Sequence, residues 1–189
     1  MGFGKALFTT WKEVLFYPGT TFGQLKSSGG FAAPLLFQAI MTTLLMAVLA
    51  IFRTVGVTIG WPAEPTLLYY AGPILVGVPL SIGLNFVLAG VFHFCLMLMK
   101  GKSKAYEATY RVTGYCSSAY VFGVMPFFGL YVSWIWGLIC MAVGLQKVHK
   151  TEGWQATIAV LIPVVAYCGF VLVLLGVVLF LIGFHSRAS

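Results

Sequence analysis

Apolar residues run along this chain in long blocks, and its polar positions gather between the blocks. LLFQAIMTTLLMAVLAIF follows Pro34, and further blocks occupy about 73–99, 130–146 and 155–184. A hydrocarbon layer about 30 Å thick takes ~20 helical residues, so each block predicts a membrane-spanning helix, the first (about 35–52) near the lower limit. Between the first two lies Thr54 to Gly72, where Trp61, Pro62, Pro65, Tyr69 and Tyr70 suit an interfacial loop.

A fifth segment, Tyr106 to Val124, is less greasy and more informative. It follows a basic turn with Ser103 as the expected N-cap. Glu107 and Arg111 form an i, i+4 pair, and no breaker intervenes before Pro126. Gly114 with Ser118, Thr113 with Ser117 and Ala119 with Gly123 are small residues four apart, which let neighbouring backbones approach closely in lipid. Such a surface gains nothing from lipid tails. The pattern predicts an inner helix, wrapped by its greasier neighbours.

Ahead of the spans, residues 1–30 read differently. Phe3, Leu7, Trp11 and Leu15 share one helical ridge with Lys5, Thr9 and Lys12 opposite, the pattern of an amphipathic helix lying in the membrane interface. Pro18 ends it, and Thr21 with Gln24 would open a second short helix as a capping box. Charges at Lys5, Lys12 and Glu13 predict a retained segment rather than a cleaved leader. The fold class expected is all-α: one polytopic domain over 1–189, with five transmembrane helices behind an amphipathic cytoplasmic segment.

Two periodicities predict how the helices meet. Gly77, Ser81, Asn85, Ala89 and His93 form an i, i+4 row expected to face the inner helix. Gly83 with Gly90, Gly137 with Gly144, and Gly169 with Gly176 and Gly183 repeat every seven residues, suggesting three seams of close contact, within the bundle or with other membrane proteins or further copies of the chain.

Composition agrees with the pattern. At 60% hydrophobic and 8% charged over 189 residues, the chain cannot hide its apolar surface in a soluble core, which covers only about two thirds of a small domain's surface. A net charge of +7 without a basic stripe or readout motif argues against nucleic acid. Its basic residues report topology instead. With the amino terminus cytoplasmic, nine of the eleven lie inside and only Arg53 and Arg187 outside, which satisfies the positive-inside rule and puts the carboxyl end outside. The inside cluster favours anionic lipids, by roughly 1 kcal/mol for each Lys or Arg near the surface.

Catalytic chemistry is hard to assemble from this sequence. There is no aspartate, and the carboxylates are Glu13, Glu64, Glu107 and Glu152. No HExxH, GxSxG or Walker loop appears. His93, Cys95, Met97 and Met99 carry soft donors, but alternate helical positions point apart, so no metal site and no cofactor is expected. The four cysteines, Cys95, Cys116, Cys140 and Cys168, read as buried thiols in apolar runs. The binding candidates are Asn85, a buried amide that would bond a neighbouring helix or contact a substrate; Glu107 and Arg111, a charged pair at a span entrance; and Tyr115.

KGKSKAYEATYRVTGYCSSAYVFGVMPFFG followed by WIWGLICMAVGLQKVHKTEGWQATIAVLIPVV resembles the Yip membrane family, the Ypt/Rab-GTPase-interacting proteins and their shorter bacterial relatives. The residues that carry the likeness are Pro18, Phe22, Tyr106, Glu107, Ala108, Arg111, Tyr115, Pro126, Gly144, Leu145, His149 and Ala156. The resemblance implies five spans with a cytoplasmic amino terminus. In eukaryotic members it also implies partnership with small GTPases through a longer amino-terminal region. Only about thirty residues precede the first span here, so GTPase binding is not carried over and a bacterial inner-membrane protein is expected. The reading favoured is a non-enzymatic, membrane-organising scaffold. The alternative is a small-solute or ion permease with a path past Asn85, Glu107 and Arg111.

Overall fold

The computed structural model describes residues 2–54, 67–100 and 104–188. In chain order the helices are α1 (Phe3–Phe16), α2 (Pro18–Gln24), α3 (Ala32–Thr54), α4 (Leu67–Leu98), α5 (Tyr106–Cys116), a 3-10 segment (Ser117–Val124), α6 (Gly129–His149) and α7 (Gly153–Ala188). No strand occurs among the described residues. The expected interfacial loop at Trp61, Pro62 and Pro65, and Ser103 as a cap, lie outside them.

Among the described residues, four stretches are long and apolar enough to cross a membrane: Ala32–Phe52, Ala71–Leu98, Gly129–His149 and Gly153–Val178. They match four of the five predicted blocks. Their outer faces carry large exposed side chains, Leu75, Val87, Phe94, Ile135 and Phe170 among them, as lipid contact requires. Pro73 and Pro79 lie inside α4 rather than at its start, which a membrane helix tolerates when neighbours satisfy the freed carbonyls.

The least apolar helix is the buried one. Every residue of α5 from Ala108 to Gly114 is buried, and Cys116 with them. Val112, Ala108 and Cys116 centre a core completed by Val14 and Phe22 from the amino-terminal helices, Phe92 of α4, Cys140, Leu145 and Val148 of α6, and Ala156 and Val160 of α7. A second cluster joins Cys95 and Leu96 of α4 to Ala159 of α7. The small residues make this approach possible: a Cβ at Gly114 would lie 2.9 Å from Pro34 Cβ, and one at Gly144 2.5 Å from Val112.

Past Cys116 the winding tightens to 3-10 for eight residues. Thr113 and Ser117 each donate their hydroxyl to the carbonyl three residues back, at 3.0 and 2.7 Å, a bond that competes with regular α-helical pairing. A 3-10 turn rises about 2.0 Å per residue against 1.5 Å in an α-helix, so Tyr106–Val124 extends about 32 Å, some 4 Å more than an unbroken α-helix of that length.

Two expectations need correction. First, α2 begins at Pro18 rather than Thr21: the proline takes the first helical position, where a missing N–H costs nothing, and Thr21 instead donates to the carbonyls of Glu13 and Tyr17. Second, of these glycines only Gly144 is closely packed, against Val112 and Phe22. Gly90 against Tyr106 and Gly137 against Ala119 are in ordinary contact, while Gly83, Gly169 and Gly176 meet nothing within 4 Å among the described residues. Spacing alone marks a small-residue stripe but not the direction it faces.

Helix α1 rests on the bundle. Val14 and Leu15 are buried, Trp136 donates its indole N–H to the Leu15 carbonyl at 3.1 Å, and Cys140 lies 3.9 Å from the Val14 carbonyl. Gly4, Leu7, Phe8 and Trp11 line a groove with Val48 of α3 and Val124 of the 3-10 segment. Those two residues lie toward the ends of their elements remote from the Lys26–Gly30 turn, so the helix reaches well along the bundle.

Candidate functional site

Three polar clusters are built on or against α5, and together they account for most of the polar side chains inside the apolar shell. The first lies where α5 begins. Glu107 Oε1 accepts the backbone N–H groups of Gly29 and Gly30 at 2.6 and 2.7 Å, and Arg111 Nη1 donates to the Gly30 carbonyl at 3.0 Å. The i, i+4 spacing puts carboxylate and guanidinium on one face, where they grip both polarities of the same turn. Gly29 and Gly30 have φ of +149° and +80°, and a Cβ at Gly29 would meet Arg111 Nη1 at 3.0 Å. Glycine is therefore required twice over: for the backbone conformation and for the space the guanidinium occupies. Arg111 is itself buried, with its Nε lacking a hydrogen-bond partner among the described residues.

The second cluster joins α3 to α4. Asn85 Nδ2 donates to Gln38 Oε1 at 2.9 Å, and Gln38 Nε2 donates to the Ser81 carbonyl at 3.0 Å. Ser81 Oγ lies 3.4 Å from Thr42 Oγ1 and donates to the Val78 carbonyl at 2.8 Å. An amide of α4 is thus bonded to an amide of α3 across a helix interface. Beside them Tyr110, fully buried, stacks on Phe86 with ring centroids 4.2 Å apart, and its hydroxyl faces Asn85 without a hydrogen bond of full geometry.

The third cluster ties α4, α5 and α6 together. His149, at the end of α6, is fully buried, and its Nδ1 accepts the backbone N–H of Lys104 at 2.9 Å. A backbone N–H can only donate, so this nitrogen carries no proton and the imidazole is neutral with its hydrogen on Nε2. Nε2 lies 3.0 Å from Thr109 Oγ1 and therefore donates to it, leaving the hydroxyl proton for His93 Nδ1 at 2.9 Å. The result is a directed chain from His149 through Thr109 to His93. Next to it, Gln155 of α7 donates to the Met99 carbonyl at 2.9 Å, which fastens α7 to the end of α4.

The structure does not bring Asn85, Glu107, Arg111 and Tyr115 together. Asn85 faces Gln38, Glu107 and Arg111 face the glycine turn, and Tyr115 packs edge-on against Phe37, with centroids 5.4 Å apart. The expected row on α4 divides: Gly77, Ser81 and Asn85 meet α3, with Asn85 also facing Tyr110 of α5, and His93 bonds Thr109 of α5. Thr109, Gln38 and the glycine turn are the participants that residue spacing did not single out. Their only advance sign is polarity at positions otherwise apolar.

No group of three or more His, Cys, Asp or Glu side chains that could hold a metal occurs among the described residues. Thr109 is flanked by two imidazoles, but it is fully buried and lines neither the groove beside α1 nor the cavity between α4 and α7. A substrate has no approach to it through either. The clusters are helix-to-helix and helix-to-turn fastenings.

A chain whose described residues form helices and no strand, with four helices long and apolar enough to cross a membrane, a packed polar inner helix and an amide pair inside the apolar shell, is a polytopic integral membrane protein. The model of the Yip1 domain matches residues 12–182, nearly the whole chain, and the protein belongs to that family. No curated protein and no solved structure matches it.

Proposed function

We propose that this Yip1-domain protein is a non-enzymatic organiser of other membrane components, built on five crossings rather than four. The fifth is Tyr106–Val124: its length of about 32 Å fits the hydrocarbon layer, and its burial explains how a weakly apolar segment is carried across. Lys26, Lys100, Lys104, Lys147 and Lys150 lie at the turns at one end of the helices, the end placed in the cytoplasm by the positive-inside rule, where they meet anionic lipid. The carboxyl end of α7 then lies on the opposite side, in a bacterial inner membrane.

The observation that carries the reading is the direction of the polar groups. Glu107, Arg111, Asn85, Gln38, His93 and His149 all bond to neighbouring helices or to a turn. They make a rigid frame and leave the outer surface to lipid and partner helices. Crosslinking with mass spectrometry in native membranes should recover a reproducible set of partner membrane proteins, and purified protein in proteoliposomes should pass no ion current. A current abolished by Glu107→Gln, with no partners above background, would refute the proposal in favour of a permease.

A further inference from the structure

Between α4, α5 with its 3-10 extension, α6 and α7 lies a cavity of about 470 Å³, within the range of small-molecule sites. It exists because α7 changes character along its length. Ala156, Ala159 and Val160 are buried, but beyond Val160 no described residue of α7 is. The helix leaves the bundle near Pro163 and opens a wedge toward lipid. Leu84 and Leu88 on α4, Trp134 on α6 and Tyr167 on α7 line the cavity and are themselves exposed, so the mouth faces hydrocarbon. Buried Phe92 closes the end nearer the basic turns.

We propose that this wedge binds one neutral lipid: a single hydrocarbon chain with an uncharged hydroxyl-bearing head. Among the described residues no Asp, Glu, Lys, Arg or His lines the cavity, so an ionic head drawn into it would remain uncompensated. Five hydroxyl side chains do line it: Thr113, Ser117, Tyr120, Ser133 and, at the exposed mouth, Tyr167. Thr113 and Ser117 donate to their own helix at Tyr110 and Gly114, which leaves their oxygens free only to accept. Ser133 is 6% exposed, and its hydroxyl has no hydrogen-bond partner among the described residues. A buried hydroxyl without a partner is costly unless a ligand supplies one. A head that both donates and accepts complements this set. Ser133 stands four residues into α6, at the cavity end remote from the basic turns, so the head sits there and the chain descends past Gly137 and Met141 toward Phe92.

The test uses the full-length protein in nanodiscs with two clickable photoreactive probes of the same chain length: a monoacylglycerol and the corresponding fatty acid, kept ionised. The monoacylglycerol should label the segment from Ser133 to Met141 at least fivefold more strongly than the carboxylate. Gly137→Leu should lower that labelling about tenfold, since a Cβ at Gly137 meets only Ala119, at 3.9 Å, and a longer side chain would occupy the wedge. Ser133→Ala, which leaves the packing intact, should lower it severalfold with a melting temperature unchanged or raised. Equal labelling by both probes, labelling spread over the exposed faces of α3 and α4, or labelling insensitive to both substitutions would overturn the proposal. These outcomes are independent of whether partner proteins crosslink.

Discussion

Replacing Thr109 by valine keeps the side chain's shape and removes only its hydroxyl, which makes it a direct probe of the chain from His149 to His93. In the native protein that hydroxyl is 3.0 Å from His149 Nε2 and 2.9 Å from His93 Nδ1. Valine strands the Nε2 hydrogen of a fully buried imidazole, at about 1–3 kcal/mol for one unsatisfied buried group. His93 is only partly buried and recovers some of its loss, adding about 1 kcal/mol at the low end of the same range. The expected destabilisation is therefore about 2–4 kcal/mol, or a fall in Tm of roughly 4–16 °C for a chain of this size. Thr109→Ser keeps the hydroxyl and deletes one methyl, at about 1 kcal/mol. A thiol-reactive fluorophore reports unfolding through buried Cys95, Cys116 and Cys140 once exposed Cys168 is replaced by serine. Melting of Thr109→Val within 1–2 °C (on the order of the smallest resolvable shift) of the native protein, or an equal loss in Thr109→Ser, would refute the relay's structural role.

Three further outcomes follow from the same geometry. Both glycine N–H groups bond to one oxygen of Glu107, so Glu107→Gln, which retains a carbonyl there, should lose about 1 kcal/mol, whereas Glu107→Ala should lose at least twice that, read by the same melt. Gly144→Val would drive side-chain atoms into Val112 and Phe22 and should cost about 3 kcal/mol by overpacking, with partial loss of folded protein on size-exclusion chromatography. Lys150 closes α6 in the left-handed conformation, φ 54°, so Lys150→Gly should raise stability by about 1 kcal/mol; a decrease would show that the lysine side chain contributes more than its backbone strain costs.

The hydrophobic blocks made four spans legible because long apolar runs have one physical solution in lipid. Tyr106–Val124 was recognisable as the inner helix from Gly114, Ser117 and Ser118, whose small faces suit burial. Its 3-10 half was not legible, because hydroxyl bonds to the carbonyls at i−3 depend on rotamers that residue identity leaves open. Glu107 and Arg111 looked like a local salt bridge at a helix start. Their true partner, the Gly29–Gly30 turn, lies 77 or more residues earlier, and pairing at that distance leaves no trace in spacing. Asn85 reads in the sequence as an amide that would bond a neighbouring helix or contact a substrate; it bonds Gln38, and nothing local shows that partner. The glycine stripes are equally visible on three helices, yet direction decides their use: Gly144 faces closely packed neighbours, whereas Gly137 on the same stripe faces the cavity.

Everything proposed for this protein depends on whether the polar inner helix crosses the bilayer. Lys26→Cys, in the turn before α3, and Ser189→Cys, at the carboxyl end, each placed in a protein without other accessible thiols, can be probed with an impermeant maleimide from either side of the membrane. Five crossings predict labelling of the two positions from opposite sides; labelling of both from the same side would mean an even number of crossings and would contradict the account.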